Sequence, residues 1–428
     1  MPPRATFRHV FAVREFRALW FSEVLSVVGD RLALVALTLL VFHQTGSSLL
    51  TAIVYATGYV PWVIGGLFLA DVADRRSRRS VMVVCDVVRA VLVAAMAVPH
   101  VPIVVLVALL FAATMFEPPF ESARAAITPD ILQGERYALG TAVFSTTFLV
   151  AQTVGAVGGG VAVAFVGVRP ALIFLIDAAT FVVSGLFVRF GTRARPAAAR
   201  PETVQPSPLA RMRGGFGLLF GDQALRTLLL LAWLVVFYTI PEGVAAPYTA
   251  RLGGGPIATG VVLASTVFGT AVATPLFTRF VGPRRRLAWM GPLAVLTCGT
   301  LVLTALRPGL AVSLVIFSIS AAFGVYQIAA NTEFVVRVPN ERRAQAFGIA
   351  KMGLIVGQGA AFVAAGAAAE VVSPAVVIAV GGGIGAIVAV VLTLRWRHVS
   401  PPGGRHAAGR RPGHAATSRS SVPLREPG

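Results

Sequence analysis

Ala70-Asp71-Val72-Ala73-Asp74-Arg75-Arg76-Ser77-Arg78-Arg79 sits between two long apolar segments, over 51–69 and 81–98. Four arginines and two aspartates in ten residues cannot lie in hydrocarbon, where each charge would be stripped of water. The stretch must be a short, water-facing loop joining two membrane crossings. Solubility alone does not call for so much charge.

Composition agrees with a membrane protein. Of 428 residues, 56% are hydrophobic and only 13% charged, with a mean hydropathy of +0.79. A soluble protein carries roughly 25% charged residues. The formal net charge of +19 would suggest a nucleic-acid partner in a soluble chain. Here the arginines fall in loops and tails, so topology accounts for them and no nucleic-acid partner is expected. Cys85 and Cys298 lie inside apolar runs and read as small buried hydrophobes. The histidines occupy loops, span ends and tails, so neither a metal site nor a cofactor is expected. The N-terminus has no short apolar core followed by a small-residue cleavage site, so the first span is expected to persist in the mature protein.

Runs of about 20 apolar residues can cross a bilayer as helices. Twelve are expected, over 18–42, 49–70, 80–98, 101–121, 137–166, 170–190, 223–247, 256–280, 286–306, 309–332, 344–369 and 374–396. The Pro-, Arg- and Ala-rich gap over 191–222 divides them six and six, and Phe216–Leu228 reads as an amphipathic interfacial helix. Four regions follow: a six-helix bundle over 1–190, a cytoplasmic central loop over 191–222, a second bundle over 223–396, and a basic tail over 397–428 expected to be disordered. An N-inside topology puts 32 of the 37 basic residues on the cytoplasmic side and only Arg169, Arg251 and Arg307 outside. By the positive-inside rule both termini are cytoplasmic.

The halves carry a weak internal repeat. A shift of 209 pairs Phe7 with Phe216, Phe11 with Phe220, Arg17 with Arg226, and Arg75–Arg76 with Arg284–Arg285. A shift of 206 pairs Glu135–Arg136 with Glu341–Arg342 and Gln152 with Gln358. Matches recurring at nearly one offset point to duplication. Two like halves around a central cavity suit alternating access, with binding near the bilayer midplane.

The loop at 70–79 resembles the signature Gly-x-Leu-Ala-Asp-Arg-x-Gly-Arg-Arg/Lys of the major facilitator superfamily, found between its second and third spans. Asp74, Arg75, Arg78 and Arg79 match, while Ala70, Val72 and Ser77 replace Gly, Leu and Gly. The resemblance covers about 15–396. Leu25–Gly46 and Phe174–Phe181 look like spans one and six of the branch containing enterobactin and macrolide exporters. Gly155–Gly160 resembles the antiporter-type Gly-Pro-x-x-Gly-Gly run, with Ala156 in place of the proline. The resemblance implies an all-α membrane protein of twelve helices in two pseudo-symmetric bundles. It also implies a cytoplasmic gate of Asp74, Arg75, Arg78 and Arg79 meeting the start of span 11 near Arg343–Ala346, with a plain topology anchor as the alternative. The second-half copy keeps Arg284 and Arg285 but has Pro283 at the place of Asp74.

Charges inside spans are costly and mark function. Glu23, Ser26 and Asp30 share one helical face of span 1, with Arg31 pointing about 100° away. Asp30 either carries a coupling proton or contacts a cationic substrate, or else is a fixed ion-pair partner. Arg31 and Glu242, the latter near the counterpart of Asp30 at Thr239, are further coupling or substrate candidates. Arg89 and Glu117 read as a structural ion pair. Glu23, Ser26, Tyr59, Gln152, Trp233, Tyr238 and Gln358 are cavity candidates; for the two glutamines helix–helix bonding competes with substrate contact, and for the aromatics lipid-facing packing does. The lone Lys351 is followed by Met352, so no Gly-x-x-x-x-Gly-Lys-Ser/Thr phosphate loop exists and no ATP site is expected. No catalytic cluster argues for an enzyme. These features together lead us to expect a monomeric, proton-coupled plasma-membrane exporter of small hydrophobic or drug-like molecules or siderophores. The alternatives are an importer of a small metabolite or peptide, or a membrane sensor.

Overall fold

A computed structural model describes residues 6–68, 76–167, 171–195 and 208–399, and among them the only regular structure is helical. Eleven segments are long and apolar enough to cross a bilayer. Span 1 is Arg14–Thr45, span 2 Ser48–Gly66, span 4 Ile103–Ile131, span 5 Glu135–Val166 and span 6 Ala171–Gly191. Spans 7 to 12 are Gln223–Gly243, Pro256–Phe280, Pro283–Leu306, Leu310–Arg337, Gln345–Val371 and Pro374–Val399. The helix Arg78–Met96 supplies span 3. Its Arg78, Arg79, Asp86 and Arg89 take it below an apolar threshold, yet it packs along span 6 inside the first half. The architecture is therefore twelve helices in two six-helix bundles.

The expected helix over Phe216–Leu228 is divided in the structure. Asp222 Oδ1 accepts the backbone N–H groups of Ala224 and Leu225 at 2.7 and 3.0 Å. That cap starts span 7 afresh, and a separate helix, Pro208–Gly221, precedes it. Residues 196–207 of the central loop and the tail from 400 lie outside the described residues.

Several spans are broken where chemistry gathers. Span 2 consists of Ser48–Ala56 and Val60–Phe68, interrupted at Thr57–Tyr59 ahead of Pro61. Span 7 unwinds in steps at Leu234, Thr239 and Val244, with Pro241 removing a donor from the ladder. Span 5, by contrast, runs 32 residues unbroken through Ala156, as expected once the proline of the antiporter run is absent.

Span 1 begins and span 12 ends at the same end of the bundle, the terminal end. The halves join mainly at the opposite, far end. There a Cβ on Gly160 would lie 2.5 Å from the Pro256 carbonyl, and one on Gly260 would lie 2.6 Å from that of Ala156. Only glycine lets spans 5 and 8 approach so closely. Spans 2 and 11 meet in the same way, with Gly366 against Ala52 and Ser48. The terminal-end segments Glu117–Ile131 of span 4 and Tyr326–Arg337 of span 10 pack chiefly against their own halves. Among the described residues the interior between the bundles is thus closed at the far end and less tightly packed toward the terminal end.

Candidate substrate and coupling site

Two polar networks meet in the interior, and adjacent residues of span 1 belong to one each. The first crosses between the halves. Tyr55 and Tyr59 of span 2 donate their hydroxyls to Glu242 Oε2 at 3.1 and 3.3 Å, and Thr266 of span 8 donates to Oε1 at 3.2 Å. Arg31 stands beside Tyr55, Tyr59 and Glu242 and supplies the opposite charge. Phe362 of span 11 packs edge-on against both tyrosine rings, at 5.2 and 5.1 Å between centroids. The helix breaks at Thr57–Tyr59 and Thr239 turn Tyr59 and Glu242 inward, the use that discontinuous helices have in transporters.

The second network lies within the first half. Arg89 Nη2 contacts Asp30 Oδ1 and Oδ2 at 2.6 and 2.5 Å, and the guanidinium rests over the Phe181 ring, 4.2 Å from its centroid. The Arg89 side chain is 3% exposed, whereas that of Asp30 is 35% exposed, so the carboxylate faces the interior space while its partner is sealed behind it. Ser184 donates to Asp86 Oδ2 at 2.7 Å and is shared by Ser22 and Ser26. Asp177 is buried beside Gly29, where a Cβ would lie 2.2 Å from its Oδ1. Asp86 Oδ1, Asp177 Oδ2 and Arg89 Nε are buried and have no hydrogen-bond partner among the described residues.

Several expected roles are corrected by these contacts. Arg89 pairs with Asp30, not with Glu117. Span 3 aims the guanidinium at spans 1 and 6, and Glu117 stays half-buried at a distance where only its field is felt. Glu23 does not line the cavity: it is 2% exposed and pairs with Arg124 at 3.1 Å, which also holds Glu121 at 2.5 Å and lies over Phe144. Ser26 is likewise consumed by Ser184. Trp233 fits its ring into the notch at Gly353 and donates Nε1 to the Ala350 carbonyl at 2.9 Å, which makes it a span 7 to span 11 brace. Gln358 is buried and reaches Thr239 Oγ1 at 3.4 Å, so it bonds helix to helix. Its repeat partner Gln152 is half-buried and makes no hydrogen bond among the described residues. Tyr238 is half-buried and takes a long contact from Gln327 Nε2 at 3.5 Å.

Of the expected gate, Asp74 and Arg75 lie outside the described residues. Arg78 and Arg79 are held inside the first half and do not reach across: Arg78 bonds Asp130 and the Ala126 carbonyl at 2.6 Å, and Arg79 the Thr192 carbonyl at 3.3 Å. A further cross-half tie lies at the far end. Glu370, one residue before the end of span 11, accepts from Ser47 Oγ at 2.7 Å and from the Leu49 backbone N–H at 2.8 Å, capping the N-terminus of span 2.

No site role was expected of Asp86, Arg124 or Lys351. Arg124 stands at i+3 from Glu121 and Arg89 at i+3 from Asp86, a spacing that flags intrahelical charge pairs. Lys351 places Nζ 3.8 Å above the Trp62 ring centroid, joining spans 11 and 2. No spacing along the chain could have paired those two. Among the described residues no group of three His, Cys, Asp or Glu side chains is placed to hold a metal ion.

Comparison with known proteins agrees with this architecture. The family model described as Major Facilitator Superfamily matches residues 19–350. Macrolide efflux protein A of Streptococcus pyogenes is 20% identical over 283 residues, covering 64% of this chain and 68% of that protein. Among solved structures, a POT family transporter bound to 5-aminolevulinic acid superposes with a TM-score of 0.72 at 11% identity, covering 94% of this chain and 99% of that one. The nucleoside transporter NupG gives 0.65 at 15% identity over 90% and 99% of the two chains. A bacterial homologue of the lysosomal transporter Spinster gives 0.64 at 16% over 92% and 96%.

Proposed function

The chain belongs to the Major Facilitator Superfamily, and from that premise we propose that it is a proton-coupled exporter of small hydrophobic molecules in the plasma membrane, with both termini cytoplasmic. A membrane transporter rather than an enzyme is what the family provides; direction, substrate and coupling ion are our reading. The observation that carries it is the divided surroundings of neighbouring residues: Asp30 is paired with Arg89 within one half, while Arg31 lies in the field of Glu242, which Tyr55 and Tyr59 hold across the halves.

The chemistry follows from that division. With the terminal end cytoplasmic, the less tightly packed end of the interior faces the cytosol, and Asp30 is the interior's accessible carboxylate. A proton on Asp30 removes the negative partner of Arg89 and leaves a buried guanidinium against Asp86, one turn away on its own helix. Any shift of span 1 that follows moves Arg31, hence the Glu242 clasp between the halves. Substrate entering beside Tyr59 and Trp62, the partly exposed aromatics of span 2, meets flat faces suited to apolar or cationic molecules. Proton and substrate therefore act on one helix from opposite sides, which is what exchange requires. The distant likeness to a macrolide efflux protein supports the outward direction of transport.

The test is uptake of a radiolabelled macrolide into inverted membrane vesicles with an acidic lumen. Wild-type protein is expected to concentrate it, and Asp30→Asn to lose gradient-driven uptake by at least tenfold while still appearing in the membrane at normal abundance. Uptake indifferent to the pH gradient would remove proton coupling. Accumulation only in right-side-out vesicles would replace export with import.

A further inference from the structure

We propose that the crevice between the start of span 1 and the end of span 6 is a binding site for one anionic phospholipid. The crevice holds a volume of about 520 Å³ and is lined by Arg14, Arg17, Phe21, Val183, Phe187 and Phe190 among others. Its charged and apolar parts are sorted by depth. Arg14 and Arg17 lie at the terminal end, one turn apart, on the same side of the helix. Phe21 is seven residues further in, about 10 Å at 1.5 Å per residue, and the antiparallel run from Phe190 back to Val183 covers the same depth on span 6. A phosphate group at the arginines would thus lead directly to acyl chain along the aromatic wall.

Three observations favour a lipid over simple solvation. Both arginines are exposed and neither makes an ion pair among the described residues. The nearest acid, Glu15, is already engaged by Arg195 at 2.8 Å and Arg193 at 3.5 Å and so cannot neutralise them. The walls remain open, with Phe21, Phe187 and Phe190 all exposed and Phe21 stacked on Phe187 at 5.4 Å. A free phosphate would satisfy the arginines and leave that wall bare; a zwitterionic lipid would fill the wall and bring a competing cation. Only an anionic lipid meets both, and basic pockets between spans are where such headgroups are held. The inference does not depend on the direction of transport or on proton coupling.

Native mass spectrometry of the purified full chain, exchanged into detergent with equal phosphatidylglycerol and phosphatidylcholine, tests it. Wild type is expected to retain one phosphatidylglycerol at least fivefold over phosphatidylcholine. Arg14→Gln/Arg17→Gln should remove the preference. Val183→Trp, or Leu186→Trp if the first is poorly expressed, keeps both arginines but fills the crevice, and should reduce phosphatidylglycerol retention at least threefold. Equal retention of the two lipids by wild type would overturn the proposal. Undiminished retention by the tryptophan variants would also overturn it, since the attraction would then be surface charge and not a crevice. Unchanged melting of each variant in lipid-free detergent separates these outcomes from misfolding.

Discussion

The two bundles are alike in backbone and unlike in charge. Spans of the first half bring Glu23, Asp30, Arg31, Asp86, Arg89, Glu117, Glu121, Arg124 and Asp177 into the interior, whereas mid-depth charges in the second half are Glu242 and Lys351. At the repeat position of Asp30 the second half has Thr239, and where Asp30 meets a guanidinium, Thr239 meets the neutral amide of Gln358. Intramembrane charge is expensive and survives where it works. The two halves therefore share one architecture while the buried charges are collected in the first. The second copy acts as the apolar counterface, touching that machinery through Glu242 across the seam and Lys351 on Trp62.

The largest way to break this asymmetry is to remove the cation at its centre. Arg89→Gln leaves Asp30, Asp86 and Asp177 without the guanidinium between them, and removing one member of a buried pair costs about 3–5 kcal/mol. The low end is expected, because Asp30 is 35% exposed and partly hydrated. The variant should melt well below wild type in detergent and transport poorly; a melting temperature equal to wild type would mean the network is not held by Arg89. A smaller effect is expected from Glu242→Gln. The amide oxygen still accepts from a tyrosine, but Arg31 loses its counter-charge across the seam, a deficit of about 1–2 kcal/mol. Transport should fall at least tenfold with only modest loss of thermal stability. If transport survives, the clasp is scaffolding and the asymmetry sharpens further, with every working charge in the first half.

How much of this could be read along the chain depends on the range of the interaction. Twelve helices followed from apolar run lengths, and even span 3 was found, although Asp86 and Arg89 dilute its hydropathy. The duplication was legible because aligned charges such as Arg75–Arg76 and Arg284–Arg285 sit at one offset. That Arg31 would turn away from Asp30 followed from helical geometry, because 100° per residue sends neighbours to different partners. Which partner Arg89 would choose was not legible. Glu117 and Asp30 both sit at plausible depth, and the outcome turns on how span 3 rotates against spans 1 and 6, a matter of packing between Ser184, Gly29 and Phe181. Trp233 failed as a cavity residue for a similar reason. The glycine that receives its ring, Gly353, is 120 positions away on span 11.

The gentlest test concerns the two ends of the spans 2 and 11 pair. The sequence directs attention to the terminal-end loop, where Asp74 was expected to meet the start of span 11. The far end presents the reciprocal arrangement, with the carboxylate of Glu370 on span 11 capping the start of span 2. A carboxylate at a helix N-terminus is worth about 0.3–1 kcal/mol when exposed, so Glu370→Gln should shift the balance away from the far-end-closed state by roughly two- to fivefold. Ser48, 6% exposed and packed against Gly366, is a suitable reporter. In a Ser48→Cys background, Glu370→Gln should raise labelling by a membrane-impermeant thiol reagent within that range. The native Cys85 and Cys298 are buried and stay silent. No change in labelling would mean that the glycine seams at Gly160–Gly260 and Gly366 close the far end without electrostatic help. A change well beyond fivefold would mean that the cap is not a trim on those seams but the contact that holds them shut.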